Sequence, residues 1–278
     1  MGNLTQERVH QLSSIAKKIR IDILEMITKA SSGHTGGSLS IADLITLLYF
    51  EEMNIDPENP QKSDRDRLVL SKGHAAPAIY AALAEKGYFA KEELFYLRQA
   101  NHMLQGHPDM KYTPGVDMTT GSLGQGISAA CGMALSAKMD NADWYVYTVL
   151  GDGELEEGQV WEAAMYAAHY KLAHLIAFVD NNGLQIDGPI SQVMSSLPIS
   201  EKFKAFGWHV INVNGHNMNE LHCAIEEAKQ VKDSPSVVIM KTIKGKGVKE
   251  TENKVGWHGK APSEEQCVQF VKEVQEAE

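Results

Sequence analysis

A strand–helix–strand unit in the middle of the chain restricts the fold more than any other feature. Residues 144–150 (WYVYTVL) and 175–179 (LIAFV) are apolar and rich in β-branched or aromatic side chains, and helix-like sequence runs between them from Glu154 to Tyr170. Both apolar segments are typical of buried strands. Two such strands joined by a helical crossover pair in parallel, so the unit predicts an α/β fold.

Each of these two strands is followed by a polar turn. Gly151-Asp152-Gly153 follows the first strand, and Asp180-Asn181-Asn182 follows the second. Ligands of open parallel sheets bind at the carboxyl ends of the strands, where both turns lie. Carboxylate and amide oxygens suit Mg²⁺ or Ca²⁺, and the helix that follows Gly153 offers N–H groups to a phosphate. Each turn alone is a common surface loop, but the pair predicts a metal–diphosphate site.

The same alternation of strands and helices continues on both sides of this unit. Further strands are predicted at residues 68–70, 208–213 and 236–243, and helices at 6–30, 41–53, 77–86, 91–100, 129–139 and 219–231. Alternating strands and helices are typical of a doubly wound parallel sheet flanked by helices. Because no linker or repeat interrupts the pattern, we expect a single domain over residues 1–278.

Composition excludes several classes of protein. The net charge is −10 and no long run of Lys or Arg occurs, so nucleic acid is not an expected partner. No segment approaches the roughly 20 apolar residues of a membrane span. Cys131, Cys223 and Cys267 are scattered and form no CxxC pair, which indicates a reducing compartment without disulfides or a zinc site. We therefore expect a cytoplasmic location.

Four of the eleven histidines lie in glycine-containing loops: His34, His74, His107 and His258. Glycine lets a ligand approach the backbone, while an imidazole exchanges protons near neutral pH. A solvent-facing turn is the usual alternative for any one of them, but four beside a predicted diphosphate site favour function. His102 is ambiguous. The others are interpreted as structural or surface residues: His10, His169, His174, His209, His216 and His222.

Two further loops have functional and structural interpretations. Residues 120–126 (TGSLGQG) open a helix, and this backbone either accepts a flat ring or packs closely against the sheet. Lys244 follows the last strand, where its ammonium either neutralises a diphosphate or is simply solvated.

With these motifs in view, the chain resembles the N-terminal, thiamin diphosphate-binding part of transketolase over nearly its whole length. The motifs that carry the resemblance are SSGHTGGSLS, LVLSKGHAAPAIYAALAEKGYF, QGHPD, TTGSLGQGISAACGMAL, GDGELEEGQVWEA, DNNGLQIDG and GWHGKAP. Full-length transketolases continue into pyrimidine-binding and C-terminal domains, which we expect on a partner chain. It therefore resembles the N-terminal subunit of a split, two-chain transketolase, which implies an α2β2 heterotetramer with a C-terminal partner subunit.

The resemblance implies a role for individual residues at the cofactor. Asp152, the Asn182 side chain and the Leu184 carbonyl would bind Mg²⁺, with Ca²⁺ as a possible substitute. Other residues would contact thiamin diphosphate: His74, Gly153, Lys244 and His258 at the diphosphate, Gly121 and Leu123 at the aminopyrimidine, and Ile186 by packing.

The remaining implied roles concern the sugar and the partner. His34, His107 and His258 would line the channel for the donor sugar and act in catalysis. Glu157 would reach across the interface toward the catalytic glutamate of the partner.

The implied reaction is that of transketolase in the pentose phosphate pathway. A two-carbon ketol group passes from a ketose phosphate to an aldose phosphate. Three alternatives stay open: a transketolase specialised for sulfo- or branched sugars, half of another thiamin diphosphate enzyme such as 1-deoxyxylulose-5-phosphate synthase, and a non-catalytic binding module.

Overall fold

Seven strands occur in the computed structural model, which describes residues 2–277. They are β1 Arg67–Leu70, β2 Val146–Gly151, β3 Leu175–Asn181, β4 Leu184–Gln185, β5 Gly188–Pro189, β6 His209–Asn214 and β7 Ser236–Lys241. Five of them form a parallel central sheet in the order β1-β2-β3-β7-β6, and β4 and β5 form a separate antiparallel hairpin.

The central strands are buried on both faces. In β3, Ile176 and Phe178 pack into one apolar cluster, whereas Ala177 and Val179 pack into another on the opposite side. This alternation follows from the two-residue period of a strand. Buried clusters on both faces confirm the predicted doubly wound α/β fold.

Helices cover the two faces. On the first face lie α1 Gln6–Ala30, α3 Ala42–Leu47, α4 Ala76–Lys86, α9 Met218–Gln230 and α10 Glu264–Glu276. On the second lie α5 Gln125–Met139, α6 Gly158–His169 and α8 Ile199–Ala205. Two short helices, α2 Thr35–Leu39 and α7 Ile190–Val193, complete the set. Within residues 2–277 no helix has both the length and the apolar character to cross a bilayer.

A buried ion-pair network joins three segments of the first face. Asp43 of α3 pairs with Arg20 of α1 at 2.6 Å and with His216, in the loop after β6, at 2.7 Å. Burial alone would raise the pKa of Asp43, but Arg20 and His216 outweigh it and lower the pKa to about 2. His216 therefore has a structural partner, as the sequence interpretation expected.

Several predicted helices differ in detail from the structure. The helix expected at 91–100 is a 3-10 turn, Lys91–Tyr96, and the helix expected from Glu154 begins with a 3-10 turn, Glu154–Glu156, before α6. The helix expected at 41–53 continues from α3 into a π-helical turn, Leu48–Glu52. Helix α10 was not predicted, although Ser263 and Gln266 form a capping box at its start.

The strand register brings the polar turns to one edge of the sheet. Gly151 of β2 is the partner of Asp180 in β3, and Asn181 is the partner of Lys241 in β7. The segments that follow these three strands therefore begin side by side.

Candidate functional site

A cleft of about 370 Å³ opens at the carboxyl edge of the sheet, above β2 and β3. It gathers almost all the residues singled out in the sequence: His34, His74, Gly121, Leu123, Asp152, Gly153, Glu157, Asn182, Leu184, Ile186, Lys244 and His258 line it. His107 lies beside this set, with its ring centroid 6.4 Å from that of His34. Residues from seven separate sequence motifs therefore meet in one place.

Asp152 links the two polar turns. Its Oδ1 accepts the Gly153 N–H at 2.8 Å, and its Oδ2 accepts the Gly183 N–H at 2.5 Å. Burial, followed by the nearby Asp180 charge, raises the pKa of Asp152 to about 6. A buried carboxylate close to a second carboxylate is an environment that a bound cation would stabilise.

Gly153 lies close to the β4–β5 hairpin. Neither Gly151 nor Gly153 has a positive φ. A Cβ at position 153 would lie 3.2 Å from the Cβ of Gln185. The absence of a side chain at Gly153 therefore allows a close approach of the β4–β5 hairpin.

Asn182 is held in one orientation by its neighbours. Its Nδ2 donates to Asp180 Oδ2 at 2.9 Å, and its Oδ1 accepts the Leu184 N–H at 3.1 Å. The same Asp180 carboxylate accepts from Lys72 Nζ at 2.5 Å. Burial would raise the pKa of Asp180, but the Lys72 charge together with the hydrogen bonds to the carboxylate outweighs burial and lowers the pKa. Lys72 and Asp180 both lie within the sequence motifs, but this supporting role was not predicted for either residue.

Lys244 places a positive charge on a predicted metal ligand. Its Nζ donates to the Leu184 carbonyl at 3.0 Å and lies 2.8 Å from His258 Nδ1. Burial, with a smaller effect of Lys72, lowers the pKa of Lys244 to about 8. The Leu184 carbonyl thus already accepts from a cationic group.

The oxygen atoms of the cleft suit a hard cation that also binds oxygens of a bound ligand. Within residues 2–277 no three His, Cys, Asp or Glu side chains converge as metal ligands. The cleft offers one carboxylate, one amide oxygen and one carbonyl oxygen, from Asp152, Asn182 and Leu184. Such a mixed oxygen set leaves room for phosphate and water oxygens, which suits Mg²⁺.

Three imidazoles form a cluster in the cleft. The ring centroid of His34 is 5.2 Å from that of His74 and 5.4 Å from that of His258. Burial, then the charge of Arg98, lowers the pKa of His34 to about 4, and burial with Lys244 lowers that of His258 to about 3. The pKa of His74 is shifted in the same direction, with burial as the main cause. The cluster is therefore neutral at physiological pH.

The histidines assigned structural or ambiguous roles lie elsewhere. His222 pairs with Glu52 and His209 with Glu227. His102, the ambiguous one, has its Nε2 2.7 Å from Glu93 Oε2. None of these three lines the cleft.

Two exposed side chains lie at the mouth of the cleft. Ile186, at the tip of the β4–β5 hairpin, has 62% of its surface exposed, and Glu157 at the start of α6 is also exposed. The other lining residues therefore form the floor and walls of the cleft, and these two side chains face outward.

A parallel α/β sheet with an acidic turn, a neutral histidine cluster and two lysines at its carboxyl edge is typical of proteins that bind a ligand at the ends of the strands. Comparison with known proteins identifies the family to which the chain belongs. Residues 11–275 match the family model of the transketolase, thiamine diphosphate-binding domain. The chain belongs to this family, and the resemblance found in the sequence is confirmed.

Individual relatives agree with the family match. The chain is 50% identical over 269 residues to the 6-deoxy-6-sulfo-D-fructose transketolase subunit SqwG of Clostridium sp. (strain MSTE9), covering 97% of this chain and 98% of that protein. It is 40% identical to one subunit of the apulose-4-phosphate transketolase of Phocaeicola vulgatus, covering 97% of this chain and 95% of that protein.

A solved structure gives the same result. The transketolase from Leishmania mexicana superposes with a TM-score of 0.90 at 34% identity, covering 95% of this chain. The matched region is 41% of the Leishmania chain, so this chain spans less than half of that transketolase.

The neutral histidine cluster predicts a specific pH dependence of stability. His34 has a folded pKa of about 4 against an ordinary value of 6.5, so between these values the unfolded chain binds a proton that the folded chain does not. The free energy of unfolding should therefore fall as the pH drops from about 6.5 toward 4. His34→Gln should make this fall shallower, measured by urea denaturation at pH 7, 6 and 5.

His10→Gln is the matched control, because His10 is exposed on α1. It should retain the wild-type pH dependence. An identical slope in His34→Gln and the wild type would contradict the burial of a neutral His34.

Proposed function

We propose that this chain is the thiamin diphosphate-binding subunit of a two-chain transketolase and that it forms one domain over residues 1–278. The observation that carries the proposal is the cleft itself, in which seven separate segments of the chain bring oxygen ligands, lysines and imidazoles together. The near-complete coverage of two proteins named as transketolase subunits supports the two-chain arrangement.

In this proposal Asp152, the Asn182 side chain and the Leu184 carbonyl hold Mg²⁺, and Ca²⁺ is an acceptable substitute. The Gly153 N–H, His74, Lys244 and His258 hold the diphosphate. Support comes from charge: Lys72 and Lys244 are both almost fully buried, and Lys72 is already paired with Asp180. Lys244 is consequently the lysine whose charge is available to a diphosphate.

The other contacts concern the organic part of the cofactor. Gly121 and Leu123 contact the aminopyrimidine, and the exposed Ile186 packs against the cofactor from the outer side. Thiamin diphosphate, when bound, supplies the carbon that takes up and releases the two-carbon unit.

His34, His107 and His258 are proposed as the catalytic histidines of this chain. Burial lowers the pKa of each of them, so a neutral imidazole faces the sugar. A neutral imidazole accepts a proton from a sugar hydroxyl at one nitrogen and donates one from the other. These residues therefore orient hydroxyls and move protons while carbon–carbon bonds are exchanged.

The partner is proposed to be a C-terminal transketolase subunit that supplies the pyrimidine-binding half. Glu157 faces outward beside the cleft, where it would meet the catalytic glutamate of the partner. We propose an α2β2 assembly in the cytoplasm. The location rests on the unpaired state of Cys131, Cys223 and Cys267.

The proposed reaction transfers a two-carbon ketol group from a ketose phosphate to an aldose phosphate, as in the pentose phosphate pathway. A second candidate is a transketolase specialised for an unusual sugar. It is favoured by the 50% identity to a subunit named for 6-deoxy-6-sulfo-D-fructose. Both candidates use the same cleft and differ in the group recognised at the far end of the sugar.

Replacement of the proposed metal ligand tests the cofactor site. Asp152→Ala removes the charged oxygen ligand, so Mg²⁺-dependent binding of thiamin diphosphate to the reconstituted two-chain complex should weaken by at least about 100-fold. Isothermal titration calorimetry measures this change. Asp233→Ala, an exposed aspartate in the turn before β7, is the charge-matched control and should bind as the wild type does. Unchanged affinity in Asp152→Ala would show that the metal lies elsewhere.

Activity of the separated chain tests the two-chain arrangement. The rigorously purified chain should show no ketol transfer, because the group that activates the cofactor is proposed to come from the partner. Adding the separately purified partner subunit should restore turnover. The assay uses a panel of ketose phosphates and a 6-deoxy-6-sulfo ketose. Measurable turnover by the chain alone would disprove the split-subunit proposal, and the panel separates the two candidate sugars.

A further inference from the structure

Another buried carboxylate, that of Glu154, lies in the lining of the cleft and accepts hydrogen bonds from three separate segments. Oε1 accepts from Ser71 Oγ at 2.5 Å and from the Gly124 N–H at 2.9 Å, while Oε2 accepts the Gly151 N–H at 3.0 Å. The residue is 2% exposed, and among residues 2–277 it has no ion-pair partner. Three uncharged donors thus surround one buried charge.

The donors belong to the two sides of the cleft. Gly124 ends the loop that carries Gly121 and Leu123, which line the cleft on one side. Gly151 starts the turn that carries Asp152, on the other side. Glu154 therefore connects the segment assigned to the aminopyrimidine with the segment assigned to the metal and diphosphate.

The loop at residues 120–126 is tightly fitted at this connection. Gly124 has φ +81°, and a Cβ there would lie 2.9 Å from the Cβ of Glu157. At the other end of the loop, Thr120 Oγ1 donates to the Leu70 carbonyl at 2.7 Å. The loop is thus fixed to β1 at its start and to Glu154 at its end.

We propose that Glu154 is a positioning residue of the cofactor site, which sets the separation between the Gly121–Gly124 loop and the Gly151–Gly153 turn. This inference rests on the proposed thiamin diphosphate site. A ligand that contacts both sides at once requires a fixed distance between the loop and the turn. Loss of the Glu154 carboxylate should therefore weaken binding of the whole cofactor more than binding of a diphosphate alone.

Two carboxylate oxygens are needed for this connection. Glu154→Gln keeps the size of the side chain, but its amide nitrogen would face an N–H or hydroxyl donor on one side. A buried donor without an acceptor is costly, so one of the two connections is expected to loosen.

The test compares two ligands on the reconstituted two-chain complex by calorimetry in the presence of Mg²⁺. Inorganic pyrophosphate contacts only the metal and diphosphate side, whereas thiamin diphosphate contacts both sides. The measured quantity is the ratio of the pyrophosphate Kd to the thiamin diphosphate Kd. We expect Glu154→Gln to lower this ratio about tenfold relative to the wild type.

Two further variants complete the design. Ser71→Ala removes one donor to Glu154 and leaves the hydrogen bonds from Gly124 and Gly151 in place. It should therefore lower the ratio of the two Kd values by a smaller factor. This variant tests the positioning role of Glu154 if Glu154→Gln does not fold. Glu58→Gln, an exposed residue before β1 at the opposite edge of the sheet, is the charge-matched control and should leave the ratio unchanged.

The possible outcomes separate the inference from the proposed function. A wild-type complex that does not prefer thiamin diphosphate over pyrophosphate would contradict the proposed cofactor site. A clear wild-type preference that persists undiminished in Glu154→Gln and Ser71→Ala, even with a lowered melting temperature, would overturn the positioning role and leave the cofactor site standing.

Discussion

The fully buried carboxylate of Asp180 is the constraint on which the rest of the site depends. It accepts from Lys72 Nζ, Ser40 Oγ, Thr242 Oγ1 and Asn182 Nδ2. Leaving such a charge without its partners would cost about 3–5 kcal/mol, because water cannot replace them. The ends of β1, β3 and β7 must therefore stay together, and Asn182 is fixed as a consequence.

The site assembled around this anchor separates charge from proton transfer. Anionic oxygens and lysines lie at the floor of the cleft, where the proposed metal and diphosphate would balance each other's charge. The imidazoles of His34, His74 and His258 lie together above them and are neutral because burial disfavours their charged forms. One cleft thus combines an electrostatic anchor with groups suited to exchanging protons with a sugar, and its exposed rim is the surface that we propose for the partner.

Much of this arrangement was predictable from the sequence, because parallel strands place the ends of β2, β3 and β7 at one edge. That rule alone brings Asp152, Asn182 and Lys244 together. The roles of Lys72 and Glu154 were not predictable in the same way. Lys72 contacts Asp180, which is 108 positions away in the sequence, and Glu154 contacts Ser71, which is 83 positions away. Such contacts depend on side-chain directions that no local sequence pattern encodes. The hairpin of β4 and β5 is too short to leave a periodic signal.

The central claim is that Asp152, Asn182 and the Leu184 carbonyl anchor the cofactor through a metal. A crystal structure of the two-chain complex with thiamin diphosphate and Mn²⁺, located by anomalous scattering, tests it most directly. We predict one ion bonded to all three residues and to the diphosphate at distances of roughly 2.0–2.3 Å. An ion bound away from these residues would contradict this claim, and so would a diphosphate held in the cleft without a metal ion.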